Sequence, residues 1–209
     1  MKIYLAPLEG ITGYTYRRAL HQCFGGFDKY FIPFILPNQK GHLSTREKKD
    51  IAPENNEGMY AVPQILTKNA EDFIQTAETL QEYGYNEVNL NLGCPSKTVV
   101  TKGRGTLRNP ALAREIRGGA PASKEEIRRF HDIMYNEYCE DLSGDRNILF
   151  RMKELWSYLM PMFTNNKKYA KKIKKIEKCV VYESAVRELF SCEQLIDSND
   201  DSEKITGTL

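Results

Sequence analysis

One thiol stands where a short strand pattern breaks. Glu87-Val88-Asn89-Leu90-Asn91-Leu92 alternates apolar and amide residues, Gly93 ends the alternation, and Pro95 fixes φ as the chain turns away. Cys94 lies between that glycine and that proline. In parallel α/β folds such a strand-to-loop edge is where ligands bind, and a thiol there can act as nucleophile, metal ligand or proton donor. The inert alternative is a buried, unreactive cysteine, a frequent state for this residue type. Asn89 and Asn91 point to the same side of their strand, and a pair of amides on one face of an apolar strand is hard to explain by packing. Gln64 poses the same question inside the apolar run Tyr60 to Leu66. Its amide either satisfies neighbouring backbone groups or pairs with the edge of a heterocycle.

Three further stretches carry chemical potential, each beside a plainer reading. Ala6-Pro7-Leu8-Glu9-Gly10 leaves the first strand pattern with Pro and Gly flanking an acid. It is an ordinary βα turn, or one whose backbone amides lie against a planar ring system. Lys102-Gly103-Arg104-Gly105 is a plain loop or a phosphate cradle, in which glycines allow close backbone approach and Arg supplies the fork. Lys167, Lys168, Lys171, Lys172, Lys174, Lys175 and Lys178 fall on one arc of a helical pattern, with Tyr169, Ala170, Ile173 and Ile176 on the other. Glu177 is the sole acid in that stretch, so the face suits contact with a nucleic-acid backbone, though charged faces are usually just solvated.

The elements that must position these residues change character midway. Ile3–Ala6 reads as a strand, Tyr14–Cys23 as a helix closed by Gly25-Gly26, and Lys29–Ile35 as a second strand. Pro37 to Gly58 reads as a long loop with room for one short helix. Tyr60–Leu66 is a third strand, Ala70–Tyr83 an amphipathic helix, and the Cys94 stretch a fourth strand. This alternation argues for parallel βαβ units. From Thr106 onward the signals are helical: a capping box at Ser123-Lys124-Glu125-Glu126, then Asn147–Met160, Asn165–Lys178 and Tyr182–Phe190. The expected organisation is therefore an α/β domain over 1–110, a linker over 111–122, a helical bundle over 123–192 and a polar tail over 193–209.

Composition excludes several classes. The 209 residues are 41% hydrophobic and 28% charged with a net charge of +2, so any nucleic-acid site rests on local clustering. Five cysteines without a C-x-x-C pair argue against a disulfide framework or zinc ribbon and suit a reducing cytosol. His21, His42 and His131 show no metal-ligand spacing, and no metal site is expected. The longest apolar run, Tyr30 to Leu36, is interrupted by Pro33, so no membrane span is expected. A strand directly after Met1-Lys2 argues against a signal peptide, and the expected location is the cytoplasm.

With these residues laid out, the chain resembles the tRNA-dihydrouridine synthases. Leu5-Ala6-Pro7-Leu8-Glu9-Gly10 looks like that family's opening strand and flavin-contacting turn. Asn89-Leu90-Asn91-Leu92-Gly93-Cys94-Pro95-Ser96 looks like its active-site motif. Arg104-Gly105-Thr106-Leu107-Arg108-Asn109-Pro110 resembles the end of its barrel, and the region to Phe190 its helical domain. The resemblance implies a (β/α)₈ TIM-type barrel holding FMN, a helical tRNA-binding domain, and reduction of uridine in tRNA to 5,6-dihydrouridine with NADPH as reductant. It implies that Cys94 is the general acid and that Pro7, Leu8 and Glu9 line the isoalloxazine. Gln64 would bond the ring edge, Asn91 would position flavin or uracil, and Gly103 and Arg104 would hold phosphate.

The chain departs from that pattern in one respect. A full barrel takes about 250 residues, whereas the strand signals here stop after the fourth. The lysine, the histidine and the Asn-Gly turn of the family's fifth to seventh units have no counterpart, and the join falls at Lys102-Gly103-Arg104-Gly105. The expected fold is thus a partial barrel of about four βα units followed by a small all-α bundle. Four parallel strands cannot close, so two sheet edges and one apolar face lie open unless a second copy pairs with them as a homodimer or the helical domain packs across the gap; the remaining outcome is failure to fold stably. Two functions fit this pattern: a flavin-dependent synthase, or a catalytically silent RNA-binding remnant. A flavoprotein acting on a free pyrimidine is a third, which the lysine face disfavours.

Overall fold

The computed structural model describes residues 1–37, 42–92 and 105–196. These form two compact units, Met1–Gly105 with Ala111–Pro121, and Thr106–Pro110 with Ala122–Leu209.

The first unit holds a three-stranded and a two-stranded parallel sheet, linked by a single bridge between Ile35 and Ile65 and backed by helices. Tyr4–Leu5 (β1) pairs with Lys29–Phe31 (β2), and β2 with Ala61–Val62 (β3), so that Leu5, Tyr30 and Ala61 lie level across the sheet. Gln64–Leu66 (β4) pairs with Asn89–Asn91 (β5) in the register Gln64–Asn89, Ile65–Leu90 and Leu66–Asn91. All these pairings are parallel, as successive βα units require.

The strand expected from Tyr60 to Leu66 is divided at Pro63. Proline has no N–H for the ladder, and its carbonyl accepts from the Asn89 N–H at 2.8 Å. The segment therefore changes its ladder partner there, from β2 to β5. The second expected strand is likewise regular only to Phe31; beyond Pro33 it returns as a single parallel bridge between Ile35 and Ile65.

Tyr14–Cys23 (α1) has the expected bounds. The segment expected to be mostly loop contains Thr45–Ile51 (α2) and a 3₁₀ turn, Pro53–Asn56. Ala70–Glu82 (α3) ends one residue earlier than expected. Ser44 opens α2 with a capping box, its hydroxyl accepting from the Glu47 N–H while the Glu47 carboxylate accepts from the Ser44 N–H. Ile32, Ile35, Ile51, Ile65 and Leu80 form a buried cluster between sheet and helices, with Phe73 and Ala77 of α3 packed against it. That fixes the two faces of the sheet. Ile65 and Tyr30 face the helices; Lys29, Phe31, Gln64, Asn89 and Asn91, one residue out of phase, face the opposite side.

Among the described residues, β1, β3, β4 and β5 each pair with one strand only. The edge at β5 is apolar, with Leu90 46% and Leu92 75% exposed. This arrangement is compatible with part of a TIM-type barrel.

The stretch expected to be a linker contains a helix, Leu112–Ile116 (α5), after a short Gly105–Arg108 helix (α4). It belongs to the first unit. Arg117 Nε donates to the Gly26 carbonyl at 3.0 Å and its Nη2 meets Asp28 at 2.7 Å. A Cβ on Gly26, at φ +84°, would lie 3.1 Å from the Arg114 nitrogen, so the glycine pair after α1 provides this approach.

The second unit is helical: Lys124–Asp141 (α6), Asp145–Leu159 (α7), Asn166–Lys175 (α8) and Cys179–Cys192 (α9). Ser123 caps α6 with the expected box to Glu126. The helix predicted to run to Lys178 stops at Lys175, and α9 begins at Cys179, before the predicted Tyr182. Trp156, Phe163 and Phe190 meet in the core with ring centroids 5.4–6.1 Å apart. A buried polar chain crosses it. Trp156 Nε1 donates to the Tyr182 hydroxyl at 2.7 Å, which lies 2.6 Å from His131 Nε2, while His131 Nδ1 lies 2.8 Å from Asp132. These partners assign the neutral tautomer with the proton on Nδ1.

Candidate functional site

The amides of the first unit come together. Gln64 Nε2 donates to Asn89 Oδ1 at 2.8 Å, and Asn91 Nδ2 donates to Gln64 Oε1 at 2.9 Å. One glutamine thus bridges two asparagines across the β4–β5 ladder, on the sheet face away from the helices. An amide carries two donor hydrogens and an acceptor with two lone pairs. The ladder uses one of each on Gln64, so this half-buried side chain keeps one N–H and one lone pair for a further partner. The two sequence alternatives, internal satisfaction and recognition of a heterocycle edge, are therefore compatible.

Toward the N-terminal ends of the strands the same face is closed by charge. Lys29 Nζ lies 2.5 Å from the Glu87 carboxylate, the Tyr60 hydroxyl donates to Glu87 at 2.8 Å, and Lys29 sits over the Tyr4 and Tyr60 rings. The hydrogen bonds from Lys29 and then Tyr60 hold Glu87 below the usual carboxylate range, and the bond to Glu87 raises Lys29.

The turn after β1 is braced from beneath. The Leu8 N–H donates to Thr12 Oγ1 at 2.7 Å, and the Leu8 carbonyl accepts from the Ile11 and Thr12 N–H groups at 3.1 and 3.0 Å. Arg17 of α1 then holds the Thr12 carbonyl at 2.9 Å. This guanidinium is fully buried; its Nη2 donates to the Asp50 carbonyl at 2.7 Å and Asn56 Oδ1 at 3.0 Å, and its Nη1 lies 3.5 Å from Asp50 Oδ1. Burial pulls Arg17 down and Asp50 up from their ordinary values, each opposed by the other's charge. Sequence reasoning missed Arg17, Asp50 and Asn56. The available signal was a charged residue beside the apolar arc Tyr16, Ala19 and Leu20 of α1.

Pro7 and Leu8 are half-buried in this turn, and Glu9 is exposed and pairs with Arg46 of α2 at 2.6 Å. Cys94, Gly103 and Arg104 lie outside the described residues. The strands Tyr4–Leu5 and Asn89–Asn91 run in the same direction as their parallel neighbours, and the Pro7 turn follows the C-terminal end of the first.

Family comparison bears on this arrangement directly. The description "Dihydrouridine synthase (Dus)" matches residues 4–117, more than half of the chain. This chain belongs to the dihydrouridine synthase family. It is 30% identical over 117 residues to tRNA-dihydrouridine synthase B of Pasteurella multocida, covering 55% of this chain and 34% of that protein. It is 33% identical over 136 residues to tRNA-dihydrouridine(16) synthase of Pseudomonas putida, covering 59% and 41%. With a probable tRNA-dihydrouridine synthase of Staphylococcus aureus the figures are 26% over 157 residues, 67% and 47%. The chain spans less than half the length of each of these relatives. The family match contains the Pro7 turn, the amide ladder and Cys94.

In the helical unit, Lys167, Lys168, Lys171, Lys172, Lys174 and Lys175 are all exposed on α8. Two details differ from expectation. Ala170, placed by periodicity on the apolar arc, is exposed, while Tyr169 and Ile173 carry the packing. The opposing carboxylate is Glu188 of α9, which bonds Lys172 and lies 3.9 Å from Lys168. Lys178 is beyond α8 and lies 3.8 Å from Asp145. Among the described residues no group of three or more His, Cys, Asp or Glu is placed to hold a metal, and no helix is long and apolar enough to cross a membrane.

Proposed function

We propose that the chain acts as a tRNA-dihydrouridine synthase, reducing uridine in tRNA with FMN bound in the first unit and NADPH as reductant, in a cytosol that keeps Cys94 a thiol. The observation that carries this reading is the Gln64–Asn89–Asn91 amide ladder, three residues before Cys94 and on the open face of the sheet. Its spare N–H and lone pair suit the donor–acceptor edge of a planar heterocycle. Pro7, Leu8 and Glu9 line the ring, Gln64 pairs with its edge, Asn91 positions flavin or uracil, and Gly103 and Arg104 hold the phosphate. When bound, the reduced flavin supplies a hydride to uracil C6. Cys94 delivers the proton to C5; an ordinary thiol titrates at about 8.5 and so remains protonated at neutral pH, as a donor must. The exposed lysines of α8, Lys167 through Lys175, take the tRNA phosphates.

The open β5 edge favours a second reading, an RNA-binding remnant without catalysis, and a second copy paired along that edge is the oligomer that would bury Leu90 and Leu92. Titration with FMN followed by uridine-reduction assays separates the readings. The synthase reading expects saturable FMN binding, weaker than in full-length relatives, and loss of reduction in Cys94→Ala with FMN binding kept. Gln64→Ala should weaken FMN about 10-fold, from a lost hydrogen bond of about 1–3 kcal/mol. Binding of tRNA without any FMN binding establishes the remnant instead.

A further inference from the structure

The helical unit contains a groove of about 850 Å³ between α7 and α8. Its floor includes Phe150, Met160 and Ala170, and its rim carries Lys153, Lys167 and Lys174. Phe150 is 66% exposed, a large apolar ring left in water. None of the three lysines has an ion-pair partner among the described residues, and the groove's one carboxylate, Glu154, lies 3.8 Å from Arg151. A second hollow of about 730 Å³ shares Phe150 and Lys153 and extends the trough toward Lys178. An apolar floor with a cationic rim fits an acidic segment that also carries apolar side chains.

The chain itself supplies one at this position. Phe163 and Leu195 form an antiparallel bridge, the Thr164 N–H donates to the Gln194 carbonyl at 2.9 Å, and the Ile196 N–H donates to the Met162 carbonyl at 2.8 Å. The last described residues therefore run back along 164, 163 and 162, in the direction of Pro161 and Met160, both groove residues. Beyond Ile196 the sequence continues as Asp197-Ser198-Asn199-Asp200-Asp201-Ser202-Glu203-Lys204-Ile205-Thr206-Gly207-Thr208-Leu209, with four carboxylates against one lysine and two large aliphatic side chains.

We propose that this acidic tail docks in the α7–α8 groove of its own chain, its carboxylates on Lys153, Lys167 and Lys174 and an aliphatic residue against Phe150. Reach is sufficient. At about 3.3 Å per residue even five extended residues cover about 16 Å, the length of a ten-residue helix such as α8 at about 1.5 Å per residue. A tether starting at the groove also gives an effective concentration near millimolar, so weak contacts suffice. Lys167 and Lys174 belong to the lysine face assigned above to tRNA, and on that reading the docked tail lowers affinity for polyanions.

Amine-acylation footprinting of the full chain against a chain ending at Ile196 tests the docking without reference to RNA. Removal of the tail should raise labelling of Lys153, Lys167 and Lys174 at least about 3-fold, with Lys48 and Lys49 unchanged. The full-length triple variant Asp200→Asn, Asp201→Asn, Glu203→Gln should match the truncated chain, and an added peptide of residues 197–209 should restore protection. Equal labelling of full and truncated chains overturns the proposal, as does a rise that the peptide fails to reverse. Protection that grows with protein concentration assigns the groove to the tail of a second copy and overturns the intramolecular form. Affinity for an oligouridylate, measured in parallel, should rise at least about 5-fold on truncation. If neither chain binds it, the tRNA assignment of the lysine face fails while the footprint still decides the docking.

Discussion

Replacing Arg17 by methionine removes the guanidinium that braces the turn after β1. The methionine keeps the length and apolar stem of the side chain but none of its donors. The Thr12 carbonyl and Asn56 Oδ1 lose their guanidinium donor, while the Asp50 carbonyl loses one of two donors and keeps Asn56 Nδ2 at 2.8 Å. The Asp50 carboxylate, 7% exposed, keeps the Tyr14 N–H at 2.6 Å and loses the cation opposite it. Breaking a buried ion pair from one side typically costs about 3–5 kcal/mol, because the remaining charge stays buried without compensation. At a urea m-value of about 2 kcal/mol/M the unfolding midpoint of the first unit then falls by roughly 2 M. Far-UV circular dichroism follows it, and fluorescence of Trp156, the one tryptophan, follows the helical unit, whose midpoint should move far less. The double variant Arg17→Met, Asp50→Leu should recover part of the loss, since the uncompensated carboxylate is gone. A midpoint shift below about 0.5 M for Arg17→Met, or a double variant that loses the sum of both single losses, refutes the argument.

The Lys29–Glu87–Tyr60 cluster makes the acid limb of stability depend on Glu87. Its hydrogen bonds hold it below the usual carboxylate value near 4.5, so its contribution is present above that pH and is lost as pH falls through the lower folded value. Glu87→Gln should be less stable than the parent at pH 7, and the two should converge below pH 4 in urea titrations; a constant difference contradicts this. His131 works in the opposite sense. Burial lowers its value from 6.5, against the pull of Asp132, so an unfolded chain takes up the proton first. Stability of the helical unit is therefore full above pH 6.5 and declines as pH falls below it, read by Trp156 fluorescence, and His131→Gln should flatten that part of the profile.

Much of the sheet was legible in the sequence because strands and helices alternate with breakers at Gly25-Gly26 and Gly84, though the division at Pro63 was not. The capping boxes at Ser123 and Ser44 are equally local signals, though the second is obscured by a polar segment without clear periodicity. The helix at Leu112–Ile116 was not legible, since its attachment depends on Arg117 reaching Asp28, a pairing 89 residues distant. The buried Arg17 network was invisible for a related reason. Its three partners, Thr12, Asp50 and Asn56, come from three separate segments, and nothing in local pattern marks a charged residue as internal. The amide ladder lay between these cases: the alternation placed Asn89 and Asn91 on one face, while their sharing of Gln64 required the parallel register.

On the proposed reading, the placement of polar groups along this face accounts for chemistry at one end of the strands. Toward the N-terminal ends, Lys29, Glu87, Tyr60 and Tyr4 satisfy one another in charge and in ring contact, leaving little for a ligand to gain. Gln64 stands three residues beyond Ala61, which is level with Leu5, and so about 10 Å further toward the C-terminal ends. There the side chains are neutral amides, which hydrogen-bond a heterocycle edge without the desolvation cost that a fixed charge imposes. On the reading proposed above, this neutral amide layer above a closed ionic one would hold a flat ring. The same layering predicts that substitutions in the ionic layer, such as Glu87→Gln, change stability and leave FMN affinity within about 2-fold, whereas Gln64→Ala does the reverse. Equal loss of affinity in both variants would mean that the layers act as one unit and would remove the physical basis for placing the ring at the amide end.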